Sequence, residues 1–136
     1  MSINHRENCP CGSEKSFSQC CEKYLNGDNT AETAVQLMRS RYSAYVKENE
    51  SYLKKTWHKE TRPENIEFEP KIKWIRLRIK NTAEGGVGDE QGSVEFIATY
   101  KINGRALQLH EISRFRRTDG CWLYLDGEHP GTENPG

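Results

Sequence analysis

Apolar positions are sparse over the first 26 residues, but Phe17, Cys20, Cys21 and Tyr24 recur at i, i+3, i+4 and i+7. That spacing predicts one face of a short helix. Asn26-Gly27-Asp28-Asn29 has turn chemistry and reads as a linker. Asn29, with Glu32 three residues later, marks the start of a longer helix. Its apolar stripe carries Val35, Met38, Tyr42, Tyr45, Val46 and Asn49, and it ends in the polar residues 47–50. A shorter helix is expected over about 51–57.

Beyond residue 65 the period changes from about 3.6 to two. Asn103-Gly104 and Asp119-Gly120 are strong two-residue hairpin signals, so antiparallel strands are expected over 93–102, 105–117 and 121–126. A fourth strand is expected over 66–80, joined to the next by a glycine-rich loop at 81–92. Ile72 and Trp74 share one parity of that strand, while Ile75, Leu77 and Ile79 share the other. A β-bulge near Trp74-Ile75 would turn both sets to the core. It would also gather Lys71, Lys73, Arg76, Arg78 and Lys80 on the outer face, beside Lys101, Arg114 and Arg116. Without the bulge the strand would bury cations at high cost. The expected architecture is α+β: a short N-terminal cysteine module (1–26), a linker (27–30), two helices on a strongly curved four-stranded antiparallel sheet (31–126), and a disordered tail (127–136).

Composition narrows the classes. Of 136 residues 34% are hydrophobic, and 20 lysines and arginines balance 20 acidic residues. The core is therefore small, but 4 Phe, 6 Tyr and 3 Trp are enough to build one, so disorder throughout is not expected. No apolar run approaches membrane-spanning length, and residues 1–16 hold no apolar stretch that could act as a signal peptide. These features lead to the expectation of a cytoplasmic chain with reduced thiols.

Four of the five cysteines lie between residues 9 and 21, as Cys9-x-Cys11 and Cys20-Cys21. Adjacent or next-neighbour cysteines close badly strained disulfide rings, whereas four thiolates suit a tetrahedral zinc ion. An iron–sulfur cluster is the alternative. Four thiolates around Zn²⁺ leave a net charge of −2, for which Arg6, Lys15 and Lys23 are expected to compensate. The fifth cysteine, Cys121, stands alone and is expected to be a packing residue.

The stretch CPCGSEKSFSQCC resembles the SEC-C motif, a zinc knuckle also found in the SecA translocation ATPase. AETAVQLMRSRYSAYV, the nearby TWH, HEISRF and DGCWLYLDG resemble the YchJ family of bacterial SEC-C proteins, over about residues 9–127. That resemblance implies a cone-shaped domain similar to nuclear transport factor two, with helices packed across the curved sheet. One departure is Glu14, where the motif usually has glycine. No activity is implied.

A cone encloses a space in which ligands bind. With Leu107, Leu109 and Phe115 turned inward, Glu111 and Ser113 turn inward too, and Trp57, His58, Tyr100, Trp122 and Tyr124 are expected opposite. Glu111 either serves a ligand or pairs with Arg39, Arg41 or a helix terminus. His110 points to the other face, His58 reads as a helix cap, and His5 and His129 fall in the ends of the chain. No Ser-His-Asp set, phosphate loop or paired-carboxylate motif is present. Two functions follow as expectations. One is a zinc-binding adaptor whose basic sheet face docks on an anionic protein or a ribosome-like partner. The other uses the cone for a small molecule, either bound without chemistry or as substrate of a proton-transfer enzyme with Glu111 or His58 as base.

Overall fold

The structure is a computed structural model and describes residues 8–130. The long helix α2 (Ala34–Val46) is capped by Thr33, downstream of the start expected at Asn29. Thr33 Oγ1 accepts the Gln36 N–H at 3.2 Å, and Gln36 Oε1 accepts the Glu32 N–H at 2.8 Å. Two otherwise free backbone donors are satisfied reciprocally, which is why the helix begins there. Asn49 caps α3 (Glu50–Lys55) through the Tyr52 N–H at 3.0 Å.

The single helix expected in the cysteine segment is broken. A 3₁₀ turn (Phe17–Gln19) and α1 (Glu22–Leu25) flank Cys20-Cys21. Adjacent side chains on one α-helix do not face the same way, so the break lets both sulfurs approach one point.

Strands β1 (Lys73–Glu84), β2 (Gln91–Ile102), β3 (Arg105–Thr118) and β4 (Cys121–Glu128) form one antiparallel sheet in the order β1-β2-β3-β4. Both two-residue turns are left-handed pairs: φ is 54° and 79° at Asn103 and Gly104, and 53° and 81° at Asp119 and Gly120. Their twist matches that of the strands they join.

The expected bulge is present. Trp74 pairs with Tyr100 and Arg76 with Thr99, leaving Ile75 as the extra residue. Trp74 and Leu77 therefore share a face. Ile75 does not join the core as expected; as the unpaired bulge residue it is 40% exposed. Register shifts also occur between Ile79 and Asn81 and opposite Arg114/Phe115. Each adds local twist and bends the strands around the helix.

Three boundaries differ from expectation. Residues 66–72 do not extend β1: Pro70 cannot donate to a ladder, and Ile66 and Phe68 instead pack on a small cluster of Ala44, Tyr52 and Leu53. At its other end β1 runs on through Glu84, shortening the expected loop. Arg117 closes that loop by donating to the carbonyls of Asp89, Gly86 and Val87 at 2.9, 3.0 and 2.5 Å. Finally, Gly127 and Glu128, placed in a disordered tail by the sequence reading, pair in β4 with Ser113 and Ile112. The expectation for 131–136 lies outside the described residues.

α2 is buried on more sides than its stripe suggests, with Leu37, Ser40, Arg41, Ser43 and Ala44 buried as well. The reason is that the cysteine segment covers its other flank. Cys9, Cys11 and Cys21 share one core cluster with Leu37, Met38, Tyr42, Leu77, Phe115 and Trp122. Residues 27–30 form an exposed connection, but packing continues across it. Cys121 is exposed in its hairpin, not packed; the adjacent Trp122 takes the core position, 2% exposed. Among the described residues, no helix is long and apolar enough to cross a membrane.

Candidate metal centre and cone cavity

The Sγ atoms of Cys9, Cys11, Cys20 and Cys21 all lie within 4.8 Å of one another. Cys11 and Cys20 are 3.7 Å apart and Cys20 and Cys21 4.0 Å. Four thiolates about 2.3 Å from a tetrahedral ion define edges of about 3.8 Å, so the residues fit a metal of that kind. Cys9, Cys11 and Cys21 are buried and Cys20 is half-buried.

Outer contacts hold the sulfurs in place. Ser13 Oγ donates to Cys20 Sγ at 3.1 Å, Ser43 Oγ meets Cys9 Sγ at 3.5 Å, and Arg39 Nη1 donates to the Cys11 carbonyl at 2.7 Å. Hydrogen bonds from Cys21 and Cys9 hold the Cys11 thiol far below its usual range. As donor in that bond Cys21 is pushed up, and burial raises Cys20. A cation held by these four sulfurs would take the place of their thiol protons. Of the expected compensating cations, Arg6 lies outside the described residues and Lys23 sits over the Tyr24 ring, 5.4 Å from its centroid. Arg39, set against Glu111 in the sequence reading, serves the knuckle instead.

Between α2 and the concave sheet face lies a cavity of about 230 Å³. Met38, Arg41, Tyr42 and Tyr45 reach it from α2, at the i, i+3, i+4, i+7 spacing of one helix face. That spacing was the signal that could have found Arg41, which the sequence reading considered only as a partner for Glu111. From the sheet come Trp74, Phe96, Ala98 and Leu109, with Glu111, Ser113 and Tyr124 beside them. Inward alternation along β3 therefore places Glu111 and Ser113 as expected.

The other residues expected there lie elsewhere. Trp57 packs edge-on against Tyr124, with centroids 5.0 Å apart, and Tyr100 packs on Trp74 at 5.4 Å. Trp122 fills the core, its Nε1–H donating to the Glu32 carbonyl at 3.1 Å. His58 is buried outside the cavity: its backbone N–H donates to Tyr124 and its Nδ1 accepts the Glu60 N–H at 3.1 Å. It is not placed to act as a base toward the cone.

Two opposite charges face the cavity without pairing directly. Glu111 Oε2 accepts from Ser113 Oγ at 2.6 Å and Tyr124 OH at 3.1 Å. Arg41 Nη1 donates to the Leu53 carbonyl and Thr56 Oγ1, both at 2.8 Å. Its guanidinium lies over Trp57 and Tyr124, 4.9 and 4.6 Å from the ring centroids. Burial lowers the Arg41 pKa, and the neighbouring Tyr45, Tyr124, Tyr52 and Glu111 oppose that. Tyr124 stands between the two charges, its hydroxyl on one and its ring under the other; burial pushes its own pKa up. The pairing of Glu111 with Arg39 or Arg41 considered from sequence is not made. His129, expected in a mobile end, sits after β4 with Nε2 3.8 Å from Glu111 Oε1.

On the outer sheet face Lys73 and Lys101 are direct cross-strand partners, with Arg76 and Arg78 exposed along β1. Lys71 lies in the turn before β1, and Lys80 is the unpaired residue at the second register shift. Arg114 is not free, because Asp126 binds it through two contacts of 2.6 and 2.5 Å. Arg116 stands opposite Leu123. His110 pairs with Glu95 at 2.7 Å on this face, away from Glu111.

Residues 33–127 match the family described as YchJ, middle NTF2-like domain, and residues 6–23 match the SEC-C motif. The UPF0225 protein SCO1677 of Streptomyces coelicolor is 46% identical over 120 residues, covering 88% of this chain and 94% of its own. A UPF0225 protein of Chromobacterium violaceum is 46% identical over 126 residues, covering 90% and 93%. The solution structure of RPA3114, a SEC-C motif containing protein from Rhodopseudomonas palustris, superposes with a TM-score of 0.79. It is 32% identical and covers 90% of this chain and 98% of that one. A SEC-C motif containing protein from Psychrobacter arcticus shares the fold, with a TM-score of 0.75 at 23% identity and coverage of 92% and 84%.

Proposed function

The chain belongs to the YchJ family of SEC-C proteins, and on that premise we propose that it is a zinc-stapled binding module that docks through its basic sheet face on a phosphate-rich ribonucleoprotein surface. The observation that carries this reading is the Lys73–Lys101 pair. Like charges placed directly opposite on one sheet face repel and destabilise the pairing. Here that pair stands beside Arg76 and Arg78, and none of the four takes part in the ion pairs of the described residues. An anionic partner would relieve the repulsion and be drawn to it over a distance. Zinc is the ion favoured by four thiolates at tetrahedral spacing in a reducing compartment such as the cytoplasm.

Binding of ribosomes or RNA to the metal-loaded protein, measured against salt, tests the docking. Changing Arg76, Arg78 and Lys101 to glutamine should weaken binding and lower the slope of log K against log salt by about one for each cation removed. Binding that is absent, or indifferent both to salt and to these changes, overturns it. Salt-dependent capture by an acidic polypeptide with none by RNA reassigns the face to a protein partner.

A further inference from the structure

The cone cavity has no part in that docking, and its chemistry is specific. A cavity of about 150 Å³ lined by apolar side chains takes up a six-carbon ring, so about 230 Å³ corresponds to roughly nine non-hydrogen atoms, the size of two fused rings. Trp74 and Phe96 from the sheet and Tyr42 and Tyr45 from α2 give it aromatic walls, which favour a flat occupant.

Charge limits the ligand further. Arg41 and Glu111 both line the cavity, so an anion or a cation attracted to one is repelled by the other. Arg41 is already engaged at one nitrogen and on its faces, with Nη1 serving Leu53 and Thr56 and the guanidinium stacked on two rings. Glu111 differs. Ser113 and Tyr124 both donate to Oε2, while Oε1 lies 3.8 Å from His129 Nε2 and accepts no hydrogen bond among those of the described residues. The carboxylate therefore retains acceptor capacity, and an N–H or O–H donor satisfies it.

The geometry points to a binding site for a small, uncharged, planar heteroaromatic molecule that donates one hydrogen bond to Glu111. This site stands apart from the outer face, so its failure leaves the docking reading untouched. The metal-loaded protein is titrated with four probes of equal size: indole, benzofuran, benzamidine and benzoate. Affinity is read by calorimetry and location by amide chemical shifts. Indole should bind and shift the amides of Phe96, Ala98 and Glu111. Benzofuran, which lacks the donor, should bind about tenfold more weakly, in line with the net worth of one hydrogen bond to a charged group. The cation and the anion should each bind at least tenfold more weakly than indole.

Ala98→Leu narrows the cavity and should abolish indole binding in a protein that keeps its fold. Where that variant does not fold, the shifts in the unmodified protein decide. No indole binding at millimolar concentration, shifts confined to other surfaces, benzofuran equal to indole, or either ion binding more tightly than indole overturns the proposal. Unchanged indole binding in folded Ala98→Leu does so too.

Discussion

Gly127 has no side chain because Glu111 occupies that space: a Cβ there would clash with Glu111 Oε2 and lie 2.6 Å from its Cδ. Gly127→Ala must push Glu111 off Ser113 and Tyr124, and should lower stability by about 1–3 kcal/mol in denaturant titration. The hairpin glycines are held by conformation, since a Cβ at Gly104 or Gly120 meets open space. Alanine there should cost about 1 kcal/mol. Glu14 shows the reverse, carrying φ 71° where the motif usually has glycine. Glu14→Gly should raise stability in denaturant titration by roughly 0.5–1 kcal/mol, once the left-handed strain is set against the added chain entropy.

Burial lifts the Tyr52 hydroxyl from its ordinary value of 10 to about 12, the Ser40 hydroxyl at 2.7 Å opposing part of that. A raised native pKa means the unfolded chain ionises first. The resulting stability is intact below pH 10 and lost as pH climbs through 12, amounting to roughly 2–3 kcal/mol. Tyr52→Phe should flatten this alkaline limb of a stability–pH curve and cost about 1 kcal/mol at neutral pH for the lost hydrogen bond.

At the scale of elements, the knuckle and α2 are one packing unit. Cys9 touches Ser43, Arg39 holds the Cys11 carbonyl, and three cysteines sit in the main core. An exposed connection at 27–30 would by itself let the cone survive loss of the metal, but packing across it predicts coupled unfolding. Cys20→Ser, or chelation, should release the ion and lower the unfolding midpoint of the whole domain in one transition. Metal analysis and thermal unfolding followed at a sheet signal check this; a cone that melts unchanged contradicts the coupling. The strands, both hairpins and the bulge were legible because period two, Asn-Gly and Asp-Gly, and a change of parity are local signals. The helix starts and the fate of residues 66–72 were not, since reciprocal capping at Thr33 and packing of Phe68 on Tyr45 depend on partners distant along the chain or on competition between neighbouring caps.

For the whole molecule, the cysteine cluster was legible because all its ligands lie within one short segment. The cavity was only half legible. Alternation along β3 brings Glu111 and Ser113 to it and helical spacing with Met38, Tyr42 and Tyr45 brings Arg41, but that Trp74 meets them depends on how α2 crosses the sheet, which no spacing encodes. On the outer face Lys73, Arg76 and Arg78 lie along β1, whereas Lys71 precedes the strand, Lys80 falls at a register shift and Arg114 is bound by Asp126 from β4, none of which local alternation encodes.

The continuous packing of cysteines against α2 and Leu77 bears on how the protein is made. Synthesis delivers the N-terminus first, so all four thiols leave the ribosome well before the helix and strand that bury them. For that interval they are exposed thiols in a chain without a core, open to oxidation or to capture of an unsuitable metal. The one-residue and zero-residue spacings strain any disulfide within either pair, so the bridges open to the nascent segment in that interval are those between the pairs, and reduction or metal capture has to forestall them until the cover arrives.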